Sequence, residues 1–253
     1  MRKYISAIAF LIIAFTAGAL AWGTLVASYP CPEGSRFPNG LAFRNSRLYI
    51  ATNDVNYTVW QVRPNTGSVL LSHQAPSRPI MGLAAGLAGE TVSYWISSTN
   101  GAGRIYQVGY LSGSVVNSFP PYGSHPMGLA FRSATRMYHT DYNARRLFVI
   151  HPVTGSVYDS YPLDFGPCDC AYGGGYLWIA DGYGELIHQC DLTGSTLASF
   201  STAEYGFCSG LAYYNQFVWV GINEPMHSIL KFEVDPFHAV EPASVGRVKA
   251  LFR

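Results

Sequence analysis

The chain repeats itself five times, and a repeat of this length and texture leaves few folds open. The tripeptide Gly-Leu-Ala recurs at Gly40, Gly82, Gly128 and Gly210, and a degenerate copy, Asp169-Cys170-Ala171, fills the gap. Successive copies stand 41 to 46 residues apart. Each is followed by an alternating apolar run carrying one aromatic: Tyr49, Trp95, Tyr138, Trp178 and Trp219. A third run comes next, at 59–62, 105–108, 147–150, 187–190 and 229–232. Turn sequences such as Pro64-Asn65-Thr66-Gly67, Pro152-Val153-Thr154-Gly155 and Asp191-Leu192-Thr193-Gly194 lead into a fourth. Alternation with period two, broken by Gly-containing turns, is the pattern of strands and not of helices. Four short strands in about 40–45 residues make one blade of a β-propeller. The expected fold is therefore all-β, a five-bladed propeller over residues 22–235.

The fifth repeat has no fourth strand, because Pro236 follows its third. The missing run stands at the other end of the chain. Gly23-Thr24-Leu25-Val26-Ala27-Ser28-Tyr29-Pro30 matches Gly113-Ser114-Val115-Val116-Asn117-Ser118-Phe119-Pro120. Residues 24–29 are thus expected as the outer strand of the last blade, closing the ring and leaving no open sheet edge between the chain ends.

Only 12% of residues are charged, aromatics reach 15%, and the formal net charge is +1. That balance offers nothing to neutralise phosphates, so a nucleic-acid partner is not expected. Residues 1–21 open with Arg2-Lys3, continue through an apolar centre and end on Ala19-Leu20-Ala21. This is the layout of a cleavable signal peptide, and an uncleaved anchor is the rival reading. The expected location is secreted, periplasmic or cell-surface, with no membrane contact after cleavage. Residues 236–253 form a tail beyond the repeats, able to dock as a short helix on the rim.

The alternation names the core. The five aromatics should pack between blades, beside the small residues Ala51, Ser97, Thr140, Ala180 and Gly221. His139 breaks a column otherwise held by Ile50, Ile96, Ile179 and Val220, so it must find a partner. His188 replaces Trp60 and Tyr106 and is expected half-exposed. Of the five cysteines, Cys168 and Cys208 precede neighbouring inner strands and are the expected disulfide pair, with Cys170–Cys208 as the alternative. Cys190 takes an apolar position.

In a propeller the loops leading into the inner strands share one face with the loops between second and third strands, and ligands usually sit there. The loops carry Arg36, Arg78 and His125 at related positions, able to converge as a cationic mouth for an anion. They also carry Asp141, Tyr142, Asp181, Tyr183, Asn223 and Glu224. Asp141 and Asp181 share a column with Thr52 and Ser98. That column fits a carboxylate-lined site, and it equally fits residues that cap their own turns. Tyr57, Tyr142 and Tyr183 are placed to stack on sugar rings. No Gly-x-Ser-x-Gly elbow, His-Glu-x-x-His motif or paired Cys spacing occurs, so no metal or cofactor is assigned.

The phrases Pro126-Met127-Gly128-Leu129-Ala130-Phe131, Pro152-Val153-Thr154-Gly155-Ser156-Val157 and Leu177-Trp178-Ile179-Ala180-Asp181 resemble those of exported bacterial propellers of the NHL and YVTN type. The likeness runs over residues 23–235 and implies blade architecture. Five blades also resemble the glutaminyl cyclases, but the acidic residue which that family carries after its first Leu-Tyr is here Ile50. Related six-bladed lactonases hold calcium through carboxylates and Asn, the donor types of Asp141, Asp181 and Asn143. Two readings of function follow: a binding module for a protein or glycan at the axial mouth, or a lactonase-, lyase- or cyclotransferase-like enzyme acting there.

Overall fold

The computed structural model describes residues 22–88 and 91–234. The expected signal peptide and the 236–253 tail lie outside them. The described residues begin with β1 (Thr24–Pro30) and one turn of 3-10 helix at Pro32–Gly34. The first complete sheet is β2 (Pro38–Arg44), β3 (Arg47–Thr52), β4 (Thr58–Val62) and β5 (Val69–Gln74). The second is β6 (Ile80–Ala88), β7 (Thr91–Ser98), β8 (Arg104–Gly109) and β9 (Val115–Phe119). The third is β10 (Pro126–Ser133), β11 (Arg136–Asp141), β12 (Arg146–Ile150) and β13 (Val157–Pro162). The fourth is β14 (Pro167–Gly173), β15 (Tyr176–Asp181), β16 (Leu186–Cys190) and β17 (Thr196–Ser201). The fifth takes β18 (Gly206–Tyr214), β19 (Phe217–Pro225) and β20 (Ser228–Glu233), and β1 supplies its outer edge. Every neighbouring pair within a sheet is antiparallel. The inner strands β2, β6, β10, β14 and β18 pack side by side in a closed ring. The protein is a five-bladed β-propeller. Among the described residues no helix is long and apolar enough to cross a membrane.

Closure follows the sequence match. Ala27 of β1 pairs with Lys231 and Tyr29 with Ile229, and the Gly23 amide donates to the Glu233 carbonyl at 2.9 Å. Two aromatics clamp this strand. Trp22 lies edge-on to Phe200, with ring centroids 5.4 Å apart, and stacks on Trp178. Tyr29 stacks on Trp219 at 5.3 Å.

The Gly-Leu-Ala column explains how the inner strands come so close. A Cβ on Gly40 would lie 2.7 Å from the Leu83 backbone nitrogen, and one on Gly210 would meet the Pro38 carbonyl. Glycine leaves the room in which one backbone lies against the next. Farther from the axis the blades diverge, and the widening wedge is filled by larger side chains. Each of the five interfaces buries one expected aromatic: Tyr49, Trp95, Tyr138, Trp178 and Trp219. Trp95 and Trp178 are wholly buried, and the Trp95 indole N–H donates to the Pro152 carbonyl at 2.9 Å.

His139 is fully buried. Its ring nitrogens face the carbonyls of Tyr122, at 3.2 Å, and Gly128, at 3.4 Å. It stacks on Phe148. His188 departs from expectation. It is buried under Phe165, with ring centroids 4.1 Å apart, because the loop before β14 folds that ring over it.

Two predictions concern this core. Trp95→Ala removes the largest side chain from the second interface and should lower unfolding free energy by about 3–5 kcal/mol in a denaturant titration. Burial lowers the pKa of both His139 and His188. The unfolded chain then binds protons more readily than the folded one as pH falls below about 6.5, so stability present at neutral pH is lost on acidification. The stability change between pH 7.5 and 5 should therefore differ between parent and His139→Ile, the parent losing more melting temperature on acidification than the variant. An unchanged slope in the variant would remove His139 as a source.

Candidate functional site

The inner strands all open toward the same face, and the residue just before each Gly-Leu-Ala copy forms a ring around the axis. Its five members are Asn39, Met81, Met127, Cys168 and Ser209, one per blade. They line a cavity of about 140 Å³, with His125, Tyr142, Tyr183 and Phe207 as its outer wall. That wall is a run of aromatic contacts. His125 and Tyr142 lie 5.9 Å apart between ring centroids, Tyr142 and Tyr183 5.6 Å, and Tyr183 and Phe207 5.3 Å, edge to face. Tyr183 is 74% exposed at the lip.

The blade-one and blade-five side of the ring is polar and already ordered. The Ser209 hydroxyl donates to Asn223 Oδ1 at 2.8 Å, and Asn223 Nδ2 donates to Asn39 Oδ1 at 3.0 Å. The blade-two to blade-four side is made of sulfur: Met81, Met127 and Cys168 pack into one apolar cluster.

Beneath the ring, the degenerate fourth copy puts Asp169 where the other blades have glycine. Its carboxylate is fully buried. One oxygen accepts the Leu211 N–H at 2.8 Å and the other its neighbour Cys170's at 2.9 Å. The N–H groups of Leu129 and Leu41 also donate to it. Burial pushes the carboxyl well above the usual carboxylate range, and these donors pull the other way. Asp169 thus ties four of the five blades at the axis. Past it lies a second hollow of about 50 Å³, lined by the Leu and Ala positions and by Phe43, Phe131, Tyr172 and Tyr213.

The structure sorts the expected site residues. His125, Tyr142 and Tyr183 are in the mouth, and Asn223 braces its polar side. The cationic triad does not assemble. Arg36 lines a separate hollow with Glu33 and Asp54. Arg78 lies over the Tyr57 ring at 5.5 Å from its centroid, so Tyr57 faces an arginine from the loop that leads into β6. Glu224 is exposed and outside the cavity wall.

Asp141 and Asp181 act as turn caps. Asp141 accepts the His125 N–H at 2.6 Å and the Ala144 N–H at 2.7 Å. Asp181 accepts the Gly184 N–H at 3.0 Å. Thr52 and Ser98, in the same column, bond the Thr58 carbonyl and the Asn100 N–H. Asn143 turns to Ser124. Among the described residues, no three His, Cys, Asp or Glu side chains gather as metal ligands.

The Cys168–Cys208 disulfide is not formed, nor is Cys170–Cys208: all five cysteines are free and buried. Cys208 points its Sγ at the carbonyls of Asp181, 3.5 Å away, and Leu186, while Cys168 faces that of Gly166. Burial pushes the thiols of Cys168 and Cys208 up to about 12.

Asn39, Met81, Met127, Phe207 and Ser209 were not among the residues singled out by the sequence. For all of these but Phe207 the signal was there in the repeat itself, as the position preceding each Gly-Leu-Ala copy, but four chemically different side chains fill it.

No protein-family model matches the chain, and no curated protein does. Solved structures do. The glutaminyl cyclase of Myxococcus xanthus superposes with a TM-score of 0.65 at 11% identity, over 84% of this chain and 96% of that one. The PQQ-bound aldose sugar dehydrogenase of Streptomyces coelicolor gives 0.55 at 15% identity, over 84% and 98%. The WD40 propeller domain of Doa1 gives 0.52 at 12% identity, over 77% and 63%. What these share with the chain is the propeller fold.

Asp169→Gly restores the repeat but leaves buried N–H groups without their acceptor. It should lower stability by at least about 2 kcal/mol, since each orphaned buried group costs about 1–3 kcal/mol. Chemical denaturation measures this, and a variant as stable as the parent would show that the carboxylate ties nothing together.

Proposed function

We propose that the chain is a binding module whose axial mouth takes a glycan through a single sugar ring. One observation carries this reading: an aromatic wall, Tyr142–Tyr183–Phe207, and the polar side chains of Ser209 and Asn39, held in order by Asn223 between them, line the same cavity. A sugar ring has one apolar C–H face and a rim of hydroxyls. The first packs on aromatic rings, and the second exchanges hydrogen bonds with amides and hydroxyls. The polar side chains are held by each other before any ligand arrives, which lowers the entropy lost on binding. Tyr183, exposed at the lip, offers its face to the next residue of a longer glycan.

Binding is favoured over catalysis by how the carboxylates are used. Asp141 and Asp181 are spent on backbone N–H groups of the loops around the mouth. Asp169 is sealed beneath the ring. A general acid or base needs to reach its proton in the ligand, and none of the three faces the cavity. Export to the cell surface, expected from residues 1–21, fits a glycan ligand and belongs to the same proposal.

A glycan array probed with the full chain should retain at least one carbohydrate. Tyr183→Ala should weaken that binding about 2–10-fold, the worth of one aromatic contact of about 0.5–1.5 kcal/mol. An array without retained glycans, together with binding indifferent to Tyr183→Ala in any pull-down, would overturn the reading.

A further inference from the structure

The sulfur side of the mouth is a different chemical surface from the polar arc and the aromatic wall. Met81, Met127 and Cys168 occupy the same repeat position in three consecutive blades. They share one apolar cluster and one cavity wall. His125 joins them for a local reason. His125-Pro126-Met127 runs extended into β10, and residues two apart on such a segment project to the same side, so both line the cavity. The His125 main chain is fixed from both ends: its N–H donates to Asp141 at 2.6 Å and its carbonyl accepts the Tyr142 N–H at 3.0 Å. Cys168 is a free thiol.

We propose that this arc binds one soft monovalent metal ion, Cu(I) or its analogue Ag(I), through the thioethers of Met81 and Met127, the sulfur of Cys168 and the imidazole of His125. The choice of ion follows from the donors. Thioether and thiolate sulfur select Cu(I), whereas hard oxygen-seeking cations need carboxylates and carbonyls, and the nearby carboxylates are committed to backbone caps. A monovalent ion also suits the charge available. Coordination replaces the Cys168 proton, M⁺ + RSH giving M–SR + H⁺, and leaves a neutral site in an apolar wall with no redox step. Methionine side chains are unbranched and turn freely about three bonds, so two of them can close on an ion without moving the blades that carry them.

The test is Cu(I) competition against bicinchoninate under argon with the full chain, repeated with Ag(I). The parent should take one equivalent, release one proton per ion and melt at a higher temperature when loaded. The decisive variant is Met81→Leu/Met127→Leu. It keeps all five cysteines and nearly conserves core volume, so its fold can be checked by melting alone. It should lose the equivalent, as should Cys168→Ala. Cys190→Ala, in another interface, should keep it. If the double leucine variant competes as well as the parent, the metal is held by scattered thiols and the proposal is wrong. The same conclusion follows if the parent takes no ion. Neither result depends on whether a glycan binds, because no carbohydrate is present in the experiment.

Discussion

The distance between neighbouring inner strands governs this molecule. Five backbones meet around one axis with so little room that a Cβ on Gly40 or Gly210 would touch the next strand's main chain. Glycine at that position is therefore a packing requirement. The consequences spread outward. Blades that nearly touch at the axis must diverge, so the small residues Ala51, Ser97, Thr140, Ala180 and Gly221 give way to indole and phenol rings farther out. In the fourth blade the requirement is met differently. Asp169 replaces the steric fit with hydrogen bonds, binding N–H groups where its counterparts only touch.

The same constraint builds the mouth. Side chains one residue before the glycines cannot turn into the crowded axis below, so they gather above it. They also stand near the start of each inner strand, where the chain comes in from the upper loops. That position is not held to glycine by close backbone contact, and its five occupants differ: two hydrogen-bonding polar groups, two thioethers and a thiol. A ring with one chemical character on one side and another opposite arises without any loop having to fold specially. The loops contribute the outer wall, and their own carboxylates keep them in shape.

Architecture was legible in the sequence because a repeat shows each structural demand five times over. Blade number, the aromatic at each interface and the pairing of residues 24–29 with the last blade all stand in columns. The capping role of Asp141 and Asp181 was visible as one of two options for the same reason. What could not be read were contacts made once. The seat of His188 under Phe165 depends on how one loop bends. The apparent convergence of Arg36, Arg78 and His125 assumed that equal repeat positions point alike, but Arg78 turns onto Tyr57 and Arg36 lies beside Glu33 and Asp54. Sequence adjacency to inner strands suggested a Cys168–Cys208 bond, whereas the thiols face carbonyls on separate segments. The ring above the axis was missed because variety, and not repetition, marks it.

The seam between β1 and β20 gives assembly an order. Among the described strands, the one nearest the amino end pairs only with the one nearest the carboxyl end, and Trp22 and Tyr29 stack on rings supplied by the fourth and fifth sheets. A nascent chain lacking its last forty residues can stack sheets but has no way to latch. The clasp thus works as a check on completeness, fastening only when synthesis of the whole circle is done.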